Sequence, residues 1–549
     1  MRPPTSFAGL VVGVVFFWIS LTPSLLPRSS LFQGVVSGGS ALVGYGVGSF
    51  VAAVTRRVLV RRRTREWREP RARLVPWIVA LVALLGTVGM LWQAQRWQNE
   101  LRSLMGMEPA SAFLELGVVV LTIVVFGLGL IIARVLRSFG RVVVRVIDRF
   151  APRAVSLPVG IVVAALIVAG FVQGVLLRGA VALVNETSSV ANRGTNEGSH
   201  RPTSAERSGG PDSLVTWSSL GREGRAFVGQ GPSLAQLRAF DGPGCCTEPV
   251  RVYVGLESPG SVRDHAQLAV REMERTGAFG RAVVGVFVAT GNGWINPKVA
   301  DALEYLYGGD TAEVSLQYSY LPSAVSFLVD QTKAGDAAKS LVDAVLAHVD
   351  GMPAQQRPRV LVYGESLGSY GIERAFGSLG ALRAHVDGAL LVGPTFANPL
   401  WKRLTAGRDP GSPQWLPRVP ADTGVSFVQK PADLTGVADA PAARRVVYLQ
   451  NASDPVTWWN VELAYRRPAW TRAPRAPDRS PALRWFPFVT FLQTAADLAN
   501  SLGVPAGHGH YFGANVVDGW VAVAKPTGWT DADTARLRTL VAHVDTSPS

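Results

Sequence analysis

The sequence predicts two unlike halves: an all-helical membrane-spanning N-terminal half and a C-terminal α/β half built on a parallel sheet. Three observations carry this. Five apolar runs of bilayer length precede residue 178. The basic excess of the chain is confined to the same region. After residue 250, fully apolar strand-like runs alternate with helical ones.

The chain has 549 residues, 48% hydrophobic and only 17% charged. A soluble enzyme carries about a quarter charged residues, so the deficit points to membrane segments. The net charge is +14, and residues 1–185 account for all of it, with 20 Arg and no Lys against six acidic residues. Nucleic-acid binding requires a basic face on a folded domain, which is excluded as a reading here. Arg clusters between apolar runs instead mark cytoplasmic loops beside anionic lipid. The expected partner is the lipid bilayer, with no nucleic acid; nothing in the sequence speaks to oligomeric state.

The runs fall near 7–27, 31–54, 74–94, 112–136 and 156–177, about five spans. The first lacks a small-residue cleavage site and is followed by Pro23, Pro27 and Arg28, so it reads as a retained span, not a signal peptide. Arg56–Arg73 carries nine Arg against Glu66 and Glu69, and Arg137–Arg153 five against Asp148. The loop around Gln95–Ala110 is charge-balanced. Placing the Arg-rich loops in the cytoplasm puts the N-terminus inside, in a multi-pass protein of the cytoplasmic membrane, with everything after the fifth span outside. Gly34, Gly38, Gly44, Gly46 and Gly48 predict close helix packing in the second span. No Asp, Lys or His lies within a span, which argues against ion-coupled transport.

Residues 186–232 are rich in Ser, Gly and Arg and read as a loosely packed connector. The expected domains are therefore 1–185 in the membrane, 186–244 as a connector, and 245–545 as the α/β domain. Strands are expected at Val250–Val254, Ala282–Ala289, Glu313–Tyr318, Val360–Tyr363, Gly388–Val392 and Arg445–Gln450. Helices are expected at Val262–Arg275, capped by Ser261, at Pro297–Tyr307 and at Ala337–His348.

The chemistry starts at Gly364-Glu365-Ser366-Leu367-Gly368, a Gly-x-Ser-x-Gly match. Chance supplies on the order of 0.4 such matches in a chain of this length, so the motif alone is weak. Its context is stronger, because it follows the apolar run Val360–Tyr363 and precedes a helical stretch. That is the setting of a nucleophile elbow, in which glycines permit a tight turn holding a serine clear of the sheet. The C-terminal domain is therefore expected to be an α/β-hydrolase fold with Ser366 as nucleophile. In that fold an acid and then a histidine follow the serine. Asp454 lies just past the strand Arg445–Gln450, where the acid belongs. Gly507-His508-Gly509-His510-Tyr511-Phe512 offers two bases. His510 is favoured because aromatic residues follow it and would fix its ring, and His508 remains open. For the oxyanion hole, Leu367 supplies one amide, and Gly291 or Asn292, at the exit of the strand Ala282–Ala289, supplies the other. Gln317–Tyr320 are expected to line the pocket.

Cys245 and Cys246 are the sole cysteines and are adjacent, either as two thiols or as a vicinal disulfide. Neither they nor His508 and His510 have metal-site spacing, so no metal and no cofactor is expected. Pro394–Pro420 and Trp458–Pro487 are long insertions rich in Trp, Pro and Arg. They are expected to form a cap in which Trp401, Trp415, Trp458, Trp459, Trp470 and Trp485 either meet lipid or serve packing.

RVYVG (Arg251–Gly255), EMERTGAFGR (Glu272–Arg281), TGNGWINP (Thr290–Pro297), GDTAEVSLQYSYLPS (Gly309–Ser323), GESLG, RDPGSP (Arg408–Pro413), WFPFVTFLQ (Trp485–Gln493) and GHGHY (Gly507–Tyr511) form a further pattern. Together they resemble a family of bacterial, mainly actinobacterial, membrane proteins that join a multi-span N-terminal domain to an α/β-hydrolase domain. The stretch Pro23–Arg28 is similar to that family's N-terminal part. The resemblance implies a membrane-anchored serine hydrolase and names no substrate. The expected reaction is hydrolysis of a lipophilic ester through an acyl-serine on the outer membrane face. The alternatives are an acyltransferase coupled to lipid export, and a non-enzymatic sensor or assembly protein on a hydrolase scaffold.

Overall fold

The computed structural model describes residues 6–59, 74–111, 114–150, 152–329, 331–434 and 445–545. It divides into two compact units, Met1–Gly179 with Trp458–Gly509, and Ala180–Thr457 with His510–Ser549. Most of the Arg56–Arg73 loop, residues 60–73, lies outside the described residues.

The first unit is helical. Its helices are α1 (Phe7–Ser20), α2 (Ser30–Leu59), α3 (Val75–Leu104), α4 (Leu114–Ile147) and α5 (Arg153–Phe171). Past α5 the chain continues through a π-helical turn at Val172–Leu177 into α6 (Arg178–Asn192). Among the described residues, four helical stretches are long and apolar enough to cross a bilayer: Ser30–Val58, Val75–Leu104, Glu115–Ile147 and Pro158–Asn192. The first of the five expected runs is not among them and forms a shorter apolar helix. Its helix has 14 residues, about 21 Å against an apolar layer of about 30 Å. The run is longer than the helix because Pro23 and Pro27 prevent its continuation. Instead α1 lies antiparallel along α2, from the Ser6 amide on Tyr45 Oη to the Ser20 hydroxyl on Ser37 Oγ at 2.8 Å.

Of the α2 glycines, Gly34, Gly38, Gly44 and Gly48 pack as expected, whereas a Cβ at Gly46 would meet nothing within 4 Å. A Cβ at Gly44 would lie 2.7 Å from Val12 O and Phe16 Cβ on α1, and one at Gly38 2.6 Å from Val125 Cβ on α4. Small residues let helix backbones approach where lipid provides no hydrophobic drive. Trp458–Gly509 belongs to this unit through the helix Val489–Ala499, which packs on α2. Its Trp458 and Trp470 are buried, so packing is their role.

The second unit holds a seven-stranded, wholly parallel sheet: β1 (Val250–Val254), β2 (Val283–Val288), β3 (Thr311–Leu316), β4 (Arg359–Glu365), β5 (Gly388–Val392), β6 (Val425–Val428) and β7 (Arg445–Leu449). The order is β1-β3-β2-β4-β5-β7-β6, so β4 is central. Every residue of β1, β2, β3, β5 and β7 is buried, which explains the apolar runs of β2 and β5, while β1 and β3 also bury Arg251 and Glu313. Each such apolar side chain contributes about 1.5–3 kcal/mol by leaving water. Parallel strands align their C-terminal ends, and ligands bind at that edge in such sheets.

The stretch 186–232 is not loose. It contains the C-terminal part of α6 and the helix Gly221–Gly229, and its Arg207 and Arg225 are buried against backbone carbonyls. A buried charge cluster then ties β1 to the helix Pro297–Leu306. Arg251 Nε lies 2.7 Å from Glu304 Oε1 and its Nη2 2.8 Å from Asp301 Oδ1. Cys245 and Cys246 are joined as a disulfide.

Candidate active site

Strand β4 runs straight into the helix Leu367–Phe376, with Ser366 as the hinge at φ 55°, ψ −118°. A non-glycine residue there is strained, and such strain collects at functional sites. Both flanking glycines are sterically required. A Cβ on Gly364 would overlap the Gly368 carbonyl carbon, and one on Gly368 would overlap Val288 O. The second overlap also shows that the turn rests on the end of β2. The Ser366 amide donates to Val392 O at 2.9 Å, which joins the turn to the end of β5. Ser366 is partly exposed.

Asp454 lies just beyond β7 and is fully buried. Its Oδ1 accepts the Val456 amide at 2.8 Å, and its Oδ2 accepts the Thr457 hydroxyl at 3.2 Å. Oδ2 also lies 2.7 Å from His510 Nδ1. The His510 ring stands edge-on to Phe512, 5.6 Å between centroids, and presses on Gly393. A Cβ on Gly393 would lie 2.5 Å from His510 Cε1, and Gly393 has φ +52°. Val392 and Gly393 at the end of β5 thus touch Ser366 on one side and the imidazole on the other. His510 Nε2 is buried with no hydrogen-bond partner among the described residues. Burial disfavours the charged ring, but the Asp454 carboxylate beside it prevails and raises its pKa above the ordinary histidine value.

His508 has a different partner. Its Nδ1 lies 3.2 Å from Asp478 Oδ2, and both residues belong to the first unit.

The two candidate oxyanion donors beyond Leu367 separate. The Gly291 amide donates to Ser323 Oγ at 3.1 Å, while the Asn292 and Leu367 amides have no partner among the described residues. Gln317, expected to line the pocket, is fully buried and holds this loop. Its Nε2 donates to Asn292 O at 2.7 Å and to Asn192 Oδ1 at 2.9 Å. Tyr253 Oη donates to Gly293 O at 2.7 Å.

Two buried carboxyls escaped sequence reasoning. Glu365 Oε2 accepts Tyr363 Oη at 2.7 Å and Asn296 Nδ2 at 2.9 Å, and burial raises its pKa. Glu373 accepts Asn398 Nδ2 at 2.9 Å and Tyr448 Oη at 2.8 Å, along with the amides of Leu400 and Trp401. Burial pushes it up to about 7 against those hydrogen bonds. It ties the helix after Ser366 to β7 and to the segment carrying Trp401, whose buried indole donates to Gln450. Position in the chain signals neither role.

No curated protein and no solved structure matches the chain. Residues 250–537 match the model of an α/β-hydrolase family, and residues 21–232 match that of an α/β-hydrolase family N-terminus. With the parallel sheet and the strand–turn–helix at Ser366 alongside that match, the chain belongs to this α/β-hydrolase family.

Proposed function

We propose that this protein is a membrane-anchored serine hydrolase that cleaves a lipophilic ester through an acyl-Ser366 intermediate. The observation that carries the reading is His510: Nδ1 is engaged by the buried Asp454, and Nε2 has no partner among the described residues and lies beside the β5 end to which Ser366 is hydrogen-bonded. In this reading Nε2 takes the Ser366 proton as Oγ attacks the ester carbonyl. Asp454 stabilises the imidazolium that forms. The Leu367 and Asn292 amides receive the negative charge on the carbonyl oxygen. His510 returns the proton to the leaving alcohol, then activates the water that releases the acid.

The four long apolar helices support a site tied to the bilayer and a substrate with an apolar part. The Arg-rich segments support cytoplasmic placement of the α2–α3 and α4–α5 connections, with the hydrolase unit on the outer face. Because α1 is antiparallel to α2, its N-terminal end points to the same side as Arg56.

The test is labelling of the full chain with a fluorophosphonate probe. Wild type is expected to react and Ser366→Ala to stay unlabelled; equal labelling of both would exclude Ser366 as the nucleophile.

A further inference from the structure

We propose that the excursion Trp458–Gly509 carries a wedge seated in the lipid leaflet on the side of the α1–α2 turn. Val461, Tyr465 and Phe488 lie among the acyl chains, and Arg466, Arg467 and Arg484 lie at the phosphates. The proposal concerns the first unit alone and rests on α2 spanning the bilayer, not on the hydrolase chemistry.

Contacts within that unit set the level of the wedge. Near the C-terminal end of the helix Val489–Ala499, Asp497 meets the turn between α1 and α2. Its Oδ1 lies 3.0 Å from Arg28 Nε, and its Oδ2 accepts the Leu25 amide at 3.1 Å. One helical turn earlier, Gln493 Nε2 donates to Ser20 O at 3.1 Å and to Thr22 O at 2.8 Å. Beside it, Leu492 faces α2 at Gly39, where a Cβ would lie 3.6 Å from Leu492 Cδ1. The helix therefore runs away from the turn toward its own N-terminus. Phe488, one turn before Leu492, marks the far end.

The stretch Ser30–Val58 has 29 residues, about 44 Å of helix, which exceeds an apolar layer of about 30 Å by about 14 Å. Gly39 lies about 14 Å along α2 from Ser30. Even with the whole excess on this side, Gly39 stands at the edge of the apolar layer, and Phe488 stands at that level or deeper.

The residues displayed at this end suit acyl chains and not water. Phe488 is 48% exposed, Val461 64% and Tyr465 67%. They form one patch, because the Phe488 amide donates to Ala464 O at 3.0 Å and the Trp485 indole to Leu463 O at 2.9 Å. Contiguous exposed apolar side chains mark an interaction surface. Phe488 also has φ 59°, a strained backbone for a side chain of its size. The fold thus spends strain to hold an aromatic ring outward. Arg466 and Arg467 directly follow Tyr465, and Arg484 directly precedes Trp485; all three are exposed. Glu462 is the sole exposed acid between Trp458 and Gly509. Apolar side chains flanked by arginine and by Tyr and Trp are the composition of a membrane interface, and the excess positive charge favours anionic headgroups.

The test uses the full chain in lipid nanodiscs. Cys245 and Cys246 are joined to each other, so without reductant an introduced cysteine is the one reactive thiol. Phe488→Cys and Tyr465→Cys are labelled with a nitrobenzoxadiazole fluorophore. The references are Leu84→Cys on the exposed face of α3 and Lys339→Cys on the exposed surface of the second unit. Nitroxide lipids carry the quencher on the acyl chain or on the headgroup. Acyl-chain nitroxide is expected to quench Phe488→Cys at least threefold more than Lys339→Cys and nearly as much as Leu84→Cys. Tyr465→Cys is expected to follow, and it decides the matter if Phe488→Cys does not accumulate. Exchanging part of the phosphatidylcholine for phosphatidylglycerol is expected to increase quenching at Tyr465→Cys, and Arg466→Gln with Arg484→Gln to remove that increase.

Quenching no greater than at Lys339→Cys would overturn the wedge, and so would quenching by headgroup nitroxide alone. Blue-shifted emission without quenching would assign the patch to a protein partner or a second copy instead. A Leu84→Cys reference that is itself unquenched would overturn the spanning helices, and the wedge with them.

Discussion

His510 and Asp454 are separated by 56 residues of chain, yet His510 Nδ1 and Asp454 Oδ2 lie 2.7 Å apart. The other carboxylate oxygen holds the Val456 amide, so neither oxygen is free to swing. Asp454→Asn keeps the shape but offers the wrong partner to Nδ1 and favours the unproductive tautomer. Ester turnover is expected to fall by about 10⁴, measured against Ser366→Ala as baseline. A variant within tenfold of wild type would remove Asp454 from the mechanism.

Gly393 meets two separate constraints, a positive φ and the face of His510. Gly393→Ala is expected to displace the ring and cost at least a hundredfold in turnover while the protein still folds. Turnover together with a melting curve checks this, since a pure folding defect lowers both.

The pH profile follows from the environment of His510. A general base works when neutral, and the ring binds its proton more tightly than an ordinary histidine because of Asp454. Labelling is therefore expected to rise with pH through a midpoint above 6.5, the ordinary value, and Asp454→Asn is expected to lower that midpoint. A wild-type midpoint below 6.5 contradicts the geometry.

Gln317 supports the loop that carries the Asn292 amide. Gln317→Ala is expected to reduce kcat by roughly tenfold to a hundredfold with little change in KM, because in the proposed mechanism the amide acts on charge developed in the transition state. A change confined to KM would make Gln317 a substrate contact.

Glu373 predicts a slope in stability. Its folded pKa of about 7 stands above the ordinary 4.5, so the folded state holds the proton more tightly than the unfolded one. Stability is then greatest below pH 4.5 and declines as pH rises toward 7, by roughly 3 kcal/mol at most. Melting temperature is expected to drop between pH 5 and pH 8, and Glu373→Gln to flatten that drop. The variant starts less stable, because its amide faces groups that donate to Glu373. An equal drop in both proteins would assign the slope elsewhere.

Much of the fold is legible in local patterning. Strands buried on both faces show themselves as apolar runs, and β1 and β5 begin and end where the runs do. The expected third strand lay about two residues too late, because the chain leaves the sheet at Gln317 to brace a neighbouring loop. Strand β6 escaped notice: it is a four-residue edge strand following a Pro-rich stretch, too short for periodicity to register. Apolarity overstated the first helix because hydropathy does not register the backbone break at the prolines. The candidates Asp454 and His510 were readable from chain order, and the structure brings the two together. The positions of Gly393, Gln317 and Glu373 beside them were not, since each depends on contacts tens of residues away.

Within the first unit the buried Arg28 Nε lies 3.0 Å from the buried Asp497 Oδ1, and this pair has a consequence for biosynthesis. Its members are 469 residues apart. At about 5–20 residues per second, the arginine leaves the ribosome roughly half a minute to a minute and a half before its carboxylate exists. Until then α1 and α2 can pair, but the guanidinium between them has no counter-ion. Completion of the first unit is therefore a late, post-insertion event, and a nascent chain halted before residue 497 carries an unneutralised positive charge at that turn.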